Sequence, residues 1–278
     1  MIWRKSKTMA TSKYFIPHSL RTTQQKTEIQ NYYNSLKTSL VAHWQYSPTD
    51  AVWKDSSVNQ YNLTEDGLIT LTTGRTSNLC YSNTVADTGG TSLFLDSNQP
   101  ALYGGAKDFS IAAWVYPFYG FPGIGSILTN SLEGLWHTEY GLFALRKSSS
   151  EVNDVQFQFS IGVDFSEFKV VDPLFYPCAA WYLVIASHDS QNKTTSISVN
   201  GATPTTATYT GIPSNSKSDT SNVRIGRYST NITTYGFFTG IIDDVAFWNR
   251  ILVADDISKL YNNSYGIDLR GVIDRNNA

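Results

Sequence analysis

The chain has 278 residues, of which 41% are hydrophobic, 14% aromatic and 16% charged. That is enough for one large domain with a buried core, and a net charge of −2 argues against nucleic-acid binding by the whole chain. No apolar run reaches the roughly 18 residues of a membrane span, and Met1-Ile2-Trp3-Arg4-Lys5-Ser6-Lys7 lacks the apolar stretch of a secretory signal, so neither membrane insertion nor signal-directed secretion is expected.

Residues 1–38 carry seven Lys and Arg against Glu28 alone, a local charge of +6 that leaves −8 for the rest. Residues 1–21 read as an irregular arm. From Thr22 to Leu36 the spacing of Ile29, Tyr32, Tyr33 and Leu36 predicts a helix, with Ser19 or Thr22 as its cap. A basic arm whose apolar face is Ile29, Tyr33 and Leu36 suits an anchor to a larger protein assembly such as a capsid, tail or surface array. A solvated tail is the plainer alternative.

Thirteen strands are predicted next: 40–46, 68–72, 92–96, 109–117, 126–129, 141–146, 154–163, 168–171, 181–188, 194–199, 206–210, 222–227 and 237–248. In 154–163 the apolar residues Val155, Phe157, Phe159 and Ile161 alternate with polar ones, which predicts one core face and one wet face. Trp181–Ala186 is apolar on both faces, as in a central covered strand. Asn200-Gly201 marks a type I′ hairpin turn, because both positions need φ > 0. In the last strand Ile241, Val245 and Phe247 are expected on one face, with Asp243 beside them. Ile257, Leu260 and Tyr261 then fall at helical spacing over Ala254–Tyr261. Many short strands separated by turns predict an all-β, two-sheet antiparallel sandwich over 39–268, with a tail at 269–278.

Six segments, in order, resemble the laminin G-like branch of the concanavalin A-like jelly rolls. They are Leu40-Val41-Ala42-His43-Trp44 with Asp55-Ser56-Ser57; Ser92–Asp96; Asp108–Pro117; Trp181–Val184 with Val199-Asn200-Gly201; Val223–Arg227; and Phe238–Arg250 with its short helix. The resemblance implies a jelly-roll sandwich. It also implies a structural calcium between the early acidic loop and the closing strand, for which the matching residues are Asp55 and Asp243, with Asn59 as a further oxygen. Val58 and Gln60 replace the loop's glycines, and the closing helix has Val253 where Ser or Thr commonly caps. The other reading of Asp243 is a carboxylate satisfied by backbone N–H groups or an arginine such as Arg250.

Some members of this superfold are glycoside hydrolases, which need two carboxylates about 5–5.5 Å apart when they retain configuration. No Glu-x-Asp-x-x-Glu run exists here, and no serine-hydrolase or zinc-protease motif is present, so catalysis is not expected. His43 and His188 lie in strands and read as structural. Cys80 and Cys178 read as packed thiols, with pairing as the alternative. Surface glycans would stack on loop aromatics, for which Tyr119, Phe121, Trp136, His137 and Tyr235 are the candidates. The expected function is thus a non-catalytic adhesion or structural protein displayed on an assembly, a phage virion decoration or fibre protein foremost, with a glycan-binding lectin-like module as the alternative.

Overall fold

The computed structural model describes residues 22–47, 52–66, 70–75, 80–83, 92–94, 99, 102, 104, 107–119, 123–132, 138–146, 153–163, 166–213, 221–228 and 236–261. The chain divides into two compact units, Met1–Thr38 and Ser39–Ala278. In the first, helix α1 runs Thr23–Thr38. Lys37 in its last turn complements the negative end of the helix dipole. Leu36 is buried. The side chains of Ile29 and Tyr33 lie outside the described residues, as does the tail 269–278.

The second unit is built from strands. In chain order they are β1 Leu40–Ser47, β2 Val52–Asp55, β3 Thr64–Asp66, β4 Thr70–Thr72, β5 Cys80–Asn83, β6 Ser92–Phe94, β7 Phe109–Pro117, β8 Ile124–Leu132 and β9 Thr138–Arg146. After these come β10 Asp154–Val163, β11 Ser166–Val171, β12 Tyr176–Pro177, β13 Tyr182–Asp189, β14 Thr194–Val199, β15 Thr205–Thr208, β16 Ser221–Ile225, β17 Gly236–Phe237 and β18 Gly240–Trp248. Helix α2, Ala254–Tyr261, follows the last strand. One sheet has the order β15-β14-β13-β7-β18-β1-β2, with β5 and β4 added beside β18. The other runs β11-β10-β9-β8-β16-β6-β3, with β12 on β10 and β17 on β8. This is the expected jelly-roll sandwich.

The two sheets meet through aromatic rings. Phe109 of β7 stacks on Phe247 of β18 at 5.3 Å between centroids, and meets Tyr140 of β9 at 4.9 Å and Phe159 of β10 at 6.0 Å. Val155, Phe157, Phe159 and Ile161 all face this core, as their alternation predicts. Their polar neighbours are not all wet, however. Gln158 and Ser160 are buried and hydrogen-bonded to each other at 2.9 Å, so the outer face of β10 is covered too. On the same face, Thr129 of β8 donates to the carbonyls of Arg227 and Tyr228, and the Tyr228 ring lies 6.0 Å from that of Phe143. Arg227 and Tyr228, just after β16, therefore lie over this face. A strand's alternation reports its own two sides but not what later packs over them.

The closing strand corrects a second expectation. Opposite β7, Asp243 pairs with Trp114 and Ala246 with Ala112, so Asp244 and Val245 together face Ala113 in a β-bulge. Asp244 has φ +54°. The bulge shifts the side-chain parity. Ile242, Val245 and Phe247 form the core set, while Asp243 shares the Trp114 side, outside the core. Period-2 counting from Val245 back to Asp243 and Ile241 fails because it assumes an unbulged strand.

Helix α2 covers that outer side. Its Tyr261 ring stacks 6.1 Å from Trp114, and Ile257 and Leu260 are buried. Val253 does not cap the helix with its side chain. Instead Asp256 reaches back to accept the Val253 N–H at 3.1 Å and the Arg250 guanidinium at 2.6 Å, half of a capping box. Asn200 and Gly201 have φ +53° and +74°, the predicted I′ turn. Cys178 is buried, and burial lifts its thiol pKa to about 11.

Candidate functional site

Two regions of the sandwich bear on function. The first is where the resemblance implies calcium. Asp55 at the end of β2 is buried. Its Oδ1 accepts the backbone N–H of His43 and of Ser57, each at 2.8 Å. Its Oδ2 accepts the Ser57 hydroxyl at 2.7 Å and the Tyr61 N–H at 2.9 Å. A carboxylate offers about four lone-pair sites, and all are taken by donors. Asn59 uses its Nδ2 to donate to the Val41 carbonyl at 2.7 Å. Asp243 is buried on the outer side of β18. Among the described residues no group of three or more His, Cys, Asp or Glu stands close enough to hold a metal ion. The residues present therefore do not fit calcium.

The neighbouring residue does more than Asp243. Asp244, buried, accepts Nε2–H of His43 and, at 2.7 Å, Nε2–H of Gln45. His43 Nδ1 and Ser56 Oγ are 2.6 Å apart, so Nδ1 accepts the hydroxyl proton once Nε2 donates to Asp244. Serine, imidazole and carboxylate are thus in line, as in a hydrolase triad. The Ser56 N–H donates to the His43 carbonyl at 2.9 Å and the Ser57 N–H to Asp55. Both amides next to the Ser56 hydroxyl are thus committed and neither is turned toward a developing oxyanion. His43 is buried in its strand with both ring nitrogens hydrogen-bonded. Its partner Asp244 is missed in the sequence because an Asp-Asp pair gives no sign of a bulge.

His188 is the other buried histidine. Its Nδ1–H donates to the Lys107 carbonyl at 2.9 Å and its Nε2 accepts the Tyr209 hydroxyl at 2.8 Å. Both nitrogens are satisfied in the neutral form, and burial holds its pKa below the ordinary histidine value.

The second region is the end of the sandwich where β7 and β9 finish and β8, β10 and β13 begin. Tyr119 is 66% exposed and Ile124 51%, while Leu174 and Phe175 are 60% and 43% exposed. They make up four of the seven exposed large hydrophobic residues among those described. At the end of β7, Tyr116 meets Phe118 at 6.0 Å and Trp181 at 5.5 Å, both edge-on. The loops are tied together, since the Pro117 carbonyl accepts the Ala179 N–H at 2.8 Å and the Phe118 N–H donates to the Thr239 carbonyl at 3.1 Å. Asp172 holds the Leu174–Phe175 tip by accepting the Leu174 N–H at 2.9 Å and the Tyr176 hydroxyl at 3.0 Å. Burial, and then the Asp172 carboxylate, push the Tyr176 phenol well above its ordinary pKa, so it stays a donor.

Of the predicted sugar-binding residues, Tyr119 stands in this rim. Phe121, Trp136, His137 and Tyr235 lie outside the described residues. Leu174 and Phe175 are not singled out in the sequence, although Asp172-Pro173 and Tyr176-Pro177 mark a loop and two large apolar residues within a loop signal a contact surface.

A family model described as the concanavalin A-like lectin/glucanases superfamily matches residues 87–258. No curated protein sequence matches the chain. Among solved structures, botulinum neurotoxin type C, described by its dependence on two ganglioside molecules for cell entry, is similar with a TM-score of 0.58 and 14% identity, over 84% of this chain and 53% of its own. The binding domain of botulinum neurotoxin DC in complex with rat synaptotagmin II gives 0.56 and 14%, over 82% and 52%. Domain 4 of a GH43 extracellular arabinanase from Geobacillus stearothermophilus, in complex with arabinotriose, gives 0.57 and 15%, over 79% of this chain and 97% of its own. The chain spans about half the length of the neurotoxin chains and nearly the whole of the arabinanase domain. At such identities the likeness establishes the fold alone. With its two-sheet sandwich and a family match over more than half of its length, the chain belongs to the concanavalin A-like lectin/glucanase superfamily.

Proposed function

We propose that this protein is a non-catalytic recognition module that binds carbohydrate at the apolar end of its sandwich. The observation that carries this reading is the exposure of Tyr119, Ile124, Leu174 and Phe175 in connections at one end of the strands. Large apolar side chains exposed in loops are candidates for contact with a ligand. Sugar rings present flat C–H faces that lie on aromatic faces, and Tyr adds a hydroxyl for hydrogen bonding. The arabinotriose complex of the arabinanase domain and the ganglioside dependence of the neurotoxin support carbohydrate as the ligand class. The commitment of the Ser56 and Ser57 amides within the fold supports a non-catalytic role. On a glycan array the full chain is expected to bind oligosaccharides, and Tyr119→Ala to weaken that binding about tenfold, or about 1.4 kcal/mol.

Display on a larger assembly, a virion included, is proposed for the basic segment. The motivating observations are the split of +6 against −8 and the separation of Met1–Thr38 as its own unit. A chain of residues 39–278 should keep its cooperative melting and drop out of the assembly with which the full chain co-sediments. Continued co-sedimentation would end the anchor reading.

A further inference from the structure

We propose that the sandwich holds its acidic loop and closing strand together without calcium: an imidazole and backbone amides of this chain take the role of the cation. Calcium needs about 6–8 oxygens with lone pairs turned toward it. Here the oxygens are turned toward hydrogens. Asp55 accepts two backbone N–H groups on Oδ1, and a hydroxyl and a third N–H on Oδ2. The Val41 carbonyl, a natural additional ligand, accepts Asn59 Nδ2–H at 2.7 Å and has Ser57 Oγ 2.9 Å away. A cation among these groups would meet the positive ends of five N–H and O–H dipoles.

On the other side stands Asp244, turned toward β1 by the bulge and its φ of +54°. It is bound by the His43 ring and the Gln45 amide. His43 is the bridge. Its backbone N–H binds Asp55 and its ring binds Asp244, so one buried residue of β1 links the loop after β2 to β18. A metal would link two carboxylates by charge; His43 links them by two donors at opposite ends of one residue. This inference concerns the fold and holds whether or not the rim binds sugar.

The test is thermal melting of the full chain in EDTA and in millimolar CaCl2, with native mass spectrometry of the calcium-treated sample. The two melting curves should coincide and the mass should show no bound calcium. Asp55→Asn, which turns an amide NH2 toward incoming N–H groups, should melt about 4–8 °C lower in both buffers. Should that variant fail to fold, His43→Gln provides the same comparison, and the wild-type pair of curves decides by itself. A wild-type melting temperature that rises with calcium and falls with EDTA, as mass action requires for a native-state ligand, would overturn the proposal. So would restoration of Asp55→Asn by calcium.

Discussion

Phe157→Ala is expected to cost about 3–5 kcal/mol of stability, the range for removing a large aromatic side chain from a packed core. Phe157 is buried at the centre of β10, with the Tyr176 ring 5.5 Å away and the Tyr182 ring 5.8 Å away. Both neighbours are pinned by hydroxyl bonds, Tyr176 to Asp172 at 3.0 Å and Tyr182 to the Pro177 carbonyl at 2.7 Å. They cannot swing in to fill the space without breaking those bonds, which favours the upper part of the range. Gln158→Ala next door removes one hydrogen bond to Ser160 and should cost about 1 kcal/mol. Urea unfolding of the two variants separates them, and equal losses would contradict the assigned faces of β10.

Gly240→Ala should be as damaging for a different reason. Gly240 opens β18 with φ +151°, a conformation that side-chain-bearing residues rarely adopt. A Cβ there would lie 2.3 Å from the Tyr116 carbonyl oxygen and 3.0 Å from Pro117 Cα. Both are backbone atoms of β7 and cannot rotate away, so the strands must separate where they pair. A loss of roughly 3–5 kcal/mol is expected from clash and strain together. Gly123→Ala is the control: its φ is +145°, but a Cβ there meets nothing within 4 Å. It should cost only the backbone strain, about 1–3 kcal/mol. Equal losses at the two glycines would show that the close approach of β18 to β7 is not what demands a glycine at position 240.

The sandwich is legible in the sequence where local pattern and burial coincide. The core face of the Val155–Ile161 alternation, the doubly apolar β13 and the Asn200-Gly201 turn each encode geometry within a few residues, and each is found as expected. What escapes is nonlocal. The short strands β2, β3 and β5 are paired by the sheet and carry no periodicity of their own. The bulge at Asp244 exchanges the roles of two adjacent acids, which composition cannot reveal. The donors that fill Asp55 are mostly backbone N–H groups, invisible to any search for ligand side chains. At the exposed end of the strands, Tyr119 is legible because aromatics in a Gly-Pro-rich loop stand out. Phe175 is not, because its exposure depends on how Asp172 folds the loop.

The central claim is that the apolar end of the sandwich is a carbohydrate-binding surface. Its most direct test is glycan-array binding by the wild type, Tyr119→Ala, Phe175→Ala and Ile212→Ala. Ile212 is also exposed, but it neighbours Pro213, which pairs with Val163 at the far end of β10. The account predicts oligosaccharide binding by the wild type and by Ile212→Ala, and a loss of about tenfold or more in the other two, each worth at least about 1.4 kcal/mol. Binding to no glycan by the folded wild type, or binding that Tyr119→Ala and Phe175→Ala leave intact, would contradict it.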